Sequence, residues 1–224
     1  MVFNDELLFI HIGKTGGMSC SRLLLEHLKR PVYNCHQFAR EEMENDPIDG
    51  VIPLNDTHRH WTLEQSLHYI KAFNGKEIGD FKKIVAVVRH PFTLEYSFYS
   101  HMKKPHIRKQ RGPIAQPVFD LADKDFKTFV EHAGYHAPGK TQDDFVRVQG
   151  EIPESVELIK FEKLDPCFVD SVAVFTNNSD NLKIGKSNSS RYPQALSDVL
   201  TDEVKQLIYL KHQYLFDSGL YSLD

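Results

Sequence analysis

Cysteine is scarce in this chain of 224 residues, and its three copies, Cys20, Cys35 and Cys167, are widely spaced. They form neither a CxxC pair nor the even-numbered set that is typical of a secreted disulfide framework. We therefore expect a protein of a reducing compartment, with a cytoplasmic location.

Long hydrophobic runs are also missing. The apolar segment closest to the N-terminus covers only residues 7–12. Six residues are too few for the hydrophobic region of a signal peptide and far too few to cross a bilayer. We expect neither a targeting segment nor a membrane span.

A surplus of positive charge is absent as well. Lys and Arg total 27 against 31 Asp and Glu, so the formal net charge is −4. This balance opposes the general phosphate attraction on which nucleic-acid binding depends, and we expect no nucleic-acid partner. With 41% hydrophobic and 26% charged residues and no internal repeat, the composition is that of a globular domain, and we expect one domain over residues 1–224.

Short apolar strands alternate with helical patterns along the chain. Residues 7–12 (LLFIHI), 83–88 (KIVAVV) and 156–161 (VELIKF) are predicted strands, and the first two each lead directly into a helix. Nearly continuous apolar strands indicate a parallel sheet covered on both faces. The expected fold is α/β, a P-loop-like three-layer arrangement of a central parallel sheet flanked by helices.

Further helices are predicted between and after these strands. Thr62 is placed to cap a helix that ends near residues 74–75, and a short helix is expected over 125–132. One longer helix is expected to begin near Thr201 and to end before Gly219. The basic, proline-containing segment 102–116 is predicted to be a long surface loop.

The glycine-rich segment after the first strand predicts an anion site. Backbone N–H groups and the positive end of a helix meet at such a loop, and Lys14 adds a cation. A Walker A loop needs glycine where Phe9 stands, and no GxGxxG motif is present. The pattern therefore argues against a GTPase, an ATPase or a dinucleotide site.

Residues 11–19 (HIGKTGGMS) resemble the HxPKTGGTS loop of sulfotransferases that use 3'-phosphoadenosine 5'-phosphosulfate (PAPS), in particular the carbohydrate sulfotransferase-like branch. Gly13 stands where proline is usual, and Met18 stands where a hydroxyl residue is usual. The resemblance implies that the loop binds the 5'-phosphosulfate of PAPS. The residues so implied are Lys14, Thr15, Gly16, Gly17, Met18 and Ser19.

Two further segments carry the resemblance. Residues 88–99 are similar to the family's VRNPxxRxxSxY motif, which implies that Arg89 and Ser97 hold the 3'-phosphate, with Glu95 in place of the common arginine. An arginine can direct two N–H donors to one phosphate. Residues 183–187 resemble the loop that lies over the nucleotide, which implies roles for Lys186 and Ser187. A Phe-Glu pair at residues 161–162 also matches.

Transfer of a sulfuryl group to a hydroxyl requires a base, and histidine suits that role near neutral pH. His58 and His60 are two residues apart, so in an extended segment they point to the same side. Similar enzymes carry a histidine at this place, and we favour His60 as the base, with His58 second. Two alternatives stay open. Both residues are ordinary loop histidines, or the two together bind a metal ion. Because no third metal ligand is obvious, we expect no metal. Lys14 is the candidate for neutralising the oxygen of the leaving group.

The resulting hypothesis is an enzyme that transfers the sulfuryl group of PAPS to a hydroxyl of a carbohydrate or a similar small or glycosylated acceptor. A P-loop nucleotide kinase or NTPase, which needs Mg²⁺, and an inactive PAPS-binding protein are the alternatives. The basic segment at 103–111 either receives an anionic acceptor or is simply solvated. Trp61 either stacks on a sugar or packs against the protein.

Overall fold

The computed structural model describes residues 1–35, 48–54, 57–135, 140–178, 182–185 and 194–223. Contacts divide the chain into two compact units. The first unit comprises residues 1–88 and 142–187, and the second comprises residues 89–141 and 188–224. In the described residues, the helices in chain order are α1 (Gly17–His27), α2 (Leu63–Asn74), α3 (Pro91–Met102), α4 (Pro105–Arg111), α5 (Gln116–Asp123), α6 (Phe126–His132), α7 (Leu164–Val172), α8 (Asp202–Lys211) and α9 (Gln213–Asp217).

The first unit contains a six-stranded sheet with the order β4-β3-β1-β2-β5-β6. Its strands are β1 (Val2–Phe3), β2 (Leu7–Ile10), β3 (Val32–Asn34), β4 (Val51–Pro53), β5 (Lys83–Val88) and β6 (Val156–Lys160). The pairs β2–β5, β5–β6 and β3–β4 are parallel. The chain therefore has the predicted α/β fold, with a mostly parallel sheet flanked by helices.

One strand departs from the expected all-parallel sheet. β1 runs antiparallel to both β2 and β3. The side chain of Asn4 explains this local reversal, because its Oδ1 accepts hydrogen bonds from the main-chain N–H groups of Glu6 and Leu7. A turn this short joins antiparallel neighbours only.

The central strands are buried on both faces, as their apolar sequences predict. All four residues of β2 are inaccessible, and so are the last five of β5. On one face, Phe9 packs edge-on against Phe168 of α7, with ring centroids 5.5 Å apart, in a cluster that also includes Leu24 of α1. β2 and β5 therefore form the buried centre of the sheet, from which the loops at their carboxyl ends begin.

Helix α2 confirms the cap predicted at Thr62. Thr62 Oγ1 accepts from the N–H of Gln65 (3.2 Å), and Gln65 Oε1 accepts from the N–H of Thr62 (3.0 Å). This reciprocal pair is a capping box. It fixes the direction in which residues 58–61 enter the helix.

The described part of the second unit is built of helices around an aromatic core. Rings on α3 and α6 lie 5.1 to 5.4 Å apart, and the residues involved are Tyr96, Phe98, Tyr99, Phe126 and Phe129. Among the described residues, no helix combines the length and the apolar character that crossing a bilayer requires.

Two predictions about this unit are wrong. The segment 102–116 is not a loop, because α4 occupies Pro105–Arg111. Proline at its first turn and the buried side chain of Ile107 support a helix that the basic composition obscures. The single C-terminal helix is divided into α8 and α9 at His212, whose buried ring bonds to Glu95.

Candidate functional site

The loop between β2 and α1 is the segment in which the sequence predicts an anion site. Gly16 is the N-cap of α1 and has φ 82°, a left-handed conformation that favours glycine. Within the described residues, no side chain caps α1, and its first turn contains no acidic residue. The partial positive charge at the start of this helix is therefore not compensated by a carboxylate of its own, and an anion is the complementary ligand.

Lys14 also has a left-handed backbone, with φ 67°. For a residue with a Cβ this conformation costs about 1–2 kcal/mol, and such strain is concentrated at functional sites. Its neighbour Thr15 is fully buried and donates its hydroxyl to the carbonyl of Ile12 (2.9 Å). Thr15 therefore closes the turn that holds Lys14 in this conformation.

The loop packs tightly against His11 and against the segment after β6. A Cβ on Gly17 would lie 2.1 Å from Cδ2 of His11, so only glycine fits there. A Cβ on Gly16 would lie 3.0 Å from side-chain atoms of both Phe161 and Leu164. The segment after β6 therefore packs against this loop, and Phe161 of the Phe-Glu pair is one of the contacting residues.

Met18 and Ser19 form the first turn of α1, where both are half-buried. The N–H of Ser19 donates to the carbonyl of Gly16 at 3.0 Å. The predicted phosphosulfate residues from Lys14 to Ser19 therefore form one continuous turn at the carboxyl end of β2.

His58 and His60 lie in a turn and not in the extended segment that was expected. The N–H of Trp61 donates to the carbonyl of His58 at 3.2 Å. The turn nevertheless brings the two rings together, with centroids 5.6 Å apart. The ring of His60 also meets the ring of His11, at 4.8 Å and an interplanar angle of 67°.

The hydrogen bonds of His60 define its tautomer. Nδ1 lies 3.0 Å from the carbonyl oxygen of His11, and because a carbonyl only accepts, Nδ1 carries the proton. Nε2 is therefore the nitrogen with the lone pair, and it accepts a hydrogen bond from Nε of Arg59 (3.1 Å). His60 is neutral in this arrangement, with its basic nitrogen directed at a guanidinium.

The surroundings hold both histidines in the neutral form. Burial lowers the pKa of His60 to about 4, and the nearby charge of Arg59 acts in the same direction. The pKa of His58 is also lowered, first by burial and then by Arg59. Both rings are therefore neutral at neutral pH, and His60 is a weak base, because burial and then the charge of Arg59 disfavour its protonated form.

Arg89 and Ser97 belong to the second unit. Arg89 follows β5 directly, and its Nε donates to Oγ1 of Thr93 at 2.9 Å. Thr93 in turn donates to the carbonyl of His90 at 3.0 Å. Ser97 is buried on α3. The side chain of Thr93, one turn further along the chain, therefore orients the guanidinium of Arg89.

Glu95 stands where the sequence resemblance would place an arginine, and its contacts lie within the second unit. Its buried carboxylate accepts from Nε2 of His212 (2.7 Å) and from Nζ of Lys211 (3.1 Å). Burial alone raises the pKa of Glu95, but the hydrogen bonds and charges of these two partners outweigh it and lower the pKa. Glu95 thus links α3 to the final helices.

Two predicted residues, Lys186 and Ser187, lie outside the described residues. Over the ranges that are described, no group of three or more His, Cys, Asp and Glu side chains is arranged to hold a metal ion.

The sequence-based prediction assigned no role to two residues that contact His60. Arg59 stands between the two histidines, and the sequence alone indicates only a hydrogen-bonded core residue at His11. The signals that could have found them are the charge of Arg59 beside a candidate base and the polar side chain of His11 within an apolar run.

No protein-family model matches this sequence, and neither does any curated protein. Among solved structures, the chain is similar to a sulfotransferase from Alicyclobacillus acidocaldarius. The two are 13% identical, the similarity covers 93% of this chain and 91% of that one, and the TM-score is 0.40. These values are too low to assign a function to this chain.

Proposed function

We propose that this protein is a sulfotransferase that moves the sulfuryl group of PAPS to a hydroxyl of a carbohydrate or a similar small acceptor. The observation that carries the proposal is the start of α1, where the left-handed Gly16 and Lys14, the closely packed Gly17 and a first turn without an acidic residue meet. Such a site is built for an anion that approaches the backbone closely.

The residues of the loop suit a phosphosulfate. Main-chain N–H groups at the start of α1 and the hydroxyl of Ser19 supply hydrogen bonds, while Lys14 supplies the positive charge. Lys14 neutralises the bridging oxygen as the nucleotide leaves. On the basis of the sequence resemblance, we assign the 3'-phosphate to Arg89 and Ser97, with Lys186 and Ser187 over the nucleotide.

His60 is the proposed general base. Its Nε2 already has the lone pair and points to a donor, so the acceptor hydroxyl takes the position of Arg59 Nε. The acceptor oxygen forms a bond to sulfur, the bond from sulfur to the 5'-phosphate oxygen breaks, and the proton moves to Nε2. The negative charge of the donor raises the pKa of His60 from its resting value of about 4.

A second candidate, a protein that binds PAPS without turning it over, is favoured by the low pKa of His60 and its bond to Arg59. Turnover separates the two. We expect labelled sulfate to pass from PAPS to at least one member of an acceptor panel, without added Mg²⁺. Replacing the base in His60→Ala should slow the reaction by about 10²–10⁴-fold.

The matched control is His68→Ala, at an exposed position on α2. It should retain full activity. Full turnover by His60→Ala would remove His60 as the base, whereas PAPS binding with no transfer to any acceptor would favour the non-catalytic protein. Turnover of ATP or GTP that requires Mg²⁺ would instead support a kinase or NTPase.

A further inference from the structure

Four aromatic side chains of the first unit form a continuous row that begins beside His60. We call Trp61, Tyr69, Phe73 and Tyr33 the aromatic row. The ring centroids are 5.4 Å apart from Trp61 to Tyr69, 5.9 Å from Tyr69 to Phe73 and 5.4 Å from Phe73 to Tyr33. Each ring therefore contacts the next.

The aromatic row packs against the protein core and is partly accessible to solvent. Tyr33 stacks on the fully buried Phe3, with centroids 4.8 Å apart and planes at 20°. Tyr69 and Phe73 are one turn apart on α2, and their planes differ by 11°. Phe73 is 45% exposed, and the other three side chains are half-buried. Large apolar rings at such exposure indicate a ligand surface.

We propose that the aromatic row binds a sugar ring of the acceptor. This inference rests on the proposed sulfotransferase function and specifies its acceptor. Aromatic faces pack against the C–H face of a pyranose, while the indole N–H of Trp61 and the hydroxyls of Tyr33 and Tyr69 can bond to sugar hydroxyls. A ligand with both apolar faces and polar edges matches this combination.

The row is also continuous with the proposed base. Trp61 directly follows His60, and the main-chain N–H of Trp61 donates to the carbonyl of His58. The Thr62 capping box fixes this turn relative to α2, on which Tyr69 and Phe73 lie. A sugar lying on Trp61 therefore has a hydroxyl near the histidine pair, while the next ring of the same chain extends towards Phe73.

The dimensions of the row favour a sugar over a protein. A stable protein interface covers about 800 Å² on each partner. The row is a single line of side chains. Lys71, on the same helix as Tyr69 and Phe73, forms an exposed ion pair with Glu77, which follows the end of α2. The aromatic row extends no further than Ile52 on β4. Ile52 is the register partner of Tyr33, and its side chain is 40% exposed. Such a narrow strip suits a linear ligand.

Trp61 is the only tryptophan in the chain, so its fluorescence reports on this surface directly. The experiment titrates the intact protein, without PAPS, with cellotriose and with chitotriose while the emission of Trp61 is recorded. We expect a saturable change with at least one probe. Phe73→Ala should weaken the apparent affinity at least tenfold, because Phe73 is the most exposed ring of the aromatic row.

The matched control is Ile114→Ala, at an apolar side chain of the second unit that is 92% exposed. It should leave the titration unchanged. Circular dichroism should confirm that Phe73→Ala keeps the helix content. Trp61→Phe keeps a ring but loses the signal, and calorimetry should still detect the sugar.

No change in emission with either probe, or equal affinity in Phe73→Ala, would overturn the inference. Self-association that Phe73→Ala abolishes would mean that the row is a protein interface. The outcome is separable from that of the proposed function, because the titration contains no donor nucleotide. A row that binds sugar in a protein that does not bind PAPS would refute the proposed function alone.

Discussion

The imidazole of His11 occupies the space that any side chain at residue 17 would need. A Cβ on Gly17 would lie 2.1 Å from Cδ2 and 2.3 Å from Nε2 of His11. The same His11 supplies the carbonyl that accepts from Nδ1 of His60 and the ring that contacts the ring of His60. One residue therefore links the start of α1 to the histidine pair within the first unit.

The first prediction concerns Gly17→Ala. The added methyl group overlaps the His11 ring, and overpacking of this kind costs about 1–3 kcal/mol. We expect the free energy of unfolding, measured by urea denaturation, to fall by that amount. Gly79→Ala is the control, because a Cβ there meets nothing within 4 Å, and it should change stability by less than about 0.5 kcal/mol. Equal stability of the two variants would contradict the described packing.

The second prediction concerns pH. The folded-state pKa of His60 is about 4, below the ordinary value of 6.5, so the unfolded chain binds the proton more tightly. This contribution to stability is complete above pH 6.5 and is lost as the pH falls towards 4. Its size is on the order of 3 kcal/mol, because one pKa unit corresponds to about 1.4 kcal/mol. His60→Asn should reduce the slope of stability against pH in this window, as measured by urea denaturation.

Asparagine at residue 60 can still donate to the carbonyl of His11 while it cannot titrate. The control is His68→Asn on the exposed side of α2, which should leave the slope as it is in the parent protein. If His60→Asn and the parent protein had the same slope, burial of a neutral His60 would be disproved.

The third prediction concerns Arg59→Met. This change removes the cation that lowers the pKa of His60 and the donor that occupies its Nε2. The pKa of His60, followed by NMR of its ring protons, should rise. Arg22→Met on α1 should leave it unchanged. A pKa that stays the same in Arg59→Met would show that Arg59 does not act on the proposed base.

The fourth prediction concerns the buried carboxylate of the second unit. Glu95→Leu leaves Lys211 and His212 beside an apolar side chain, and the loss of one partner from a buried ion pair costs about 3–5 kcal/mol. We expect a loss of that size in urea denaturation. Glu77→Leu removes the exposed partner of Lys71 and should reduce the stability far less, because exposed ion pairs contribute little. A small effect of Glu95→Leu would show that its ion pairs contribute little.

The sequence predicts the regular parts of this structure well. The apolar runs that became β2 and β5 are visible because both faces of these strands are buried, and β6 is visible as a third run of strand-forming residues although only Ile159 of it is buried. Helix α2 is visible because Thr62 and the apolar spacing mark its start. The short strands β1, β3 and β4 are not visible, because two or three residues are too few to show a period.

The sequence predicts only those features of the candidate site that involve residues close together along the chain. Residues 11–19 are contiguous, so their meeting at one helix start follows from the sequence. The contact of His60 with His11 joins residues 49 apart along the chain, and the packing of Phe161 against Gly16 spans a still longer stretch. Such contacts depend on the order of strands in the sheet, which no local pattern contains.

The most direct test of the account is a calorimetric titration with 3'-phosphoadenosine 5'-phosphate, the product of the proposed reaction. We predict that the parent protein binds it, that Lys14→Met and Arg89→Met each weaken binding at least tenfold, and that Lys82→Met, at an exposed lysine of the first unit, does not. No binding by the parent protein, or binding that neither Lys14→Met nor Arg89→Met weakens, would contradict the proposal that these residues hold the donor nucleotide.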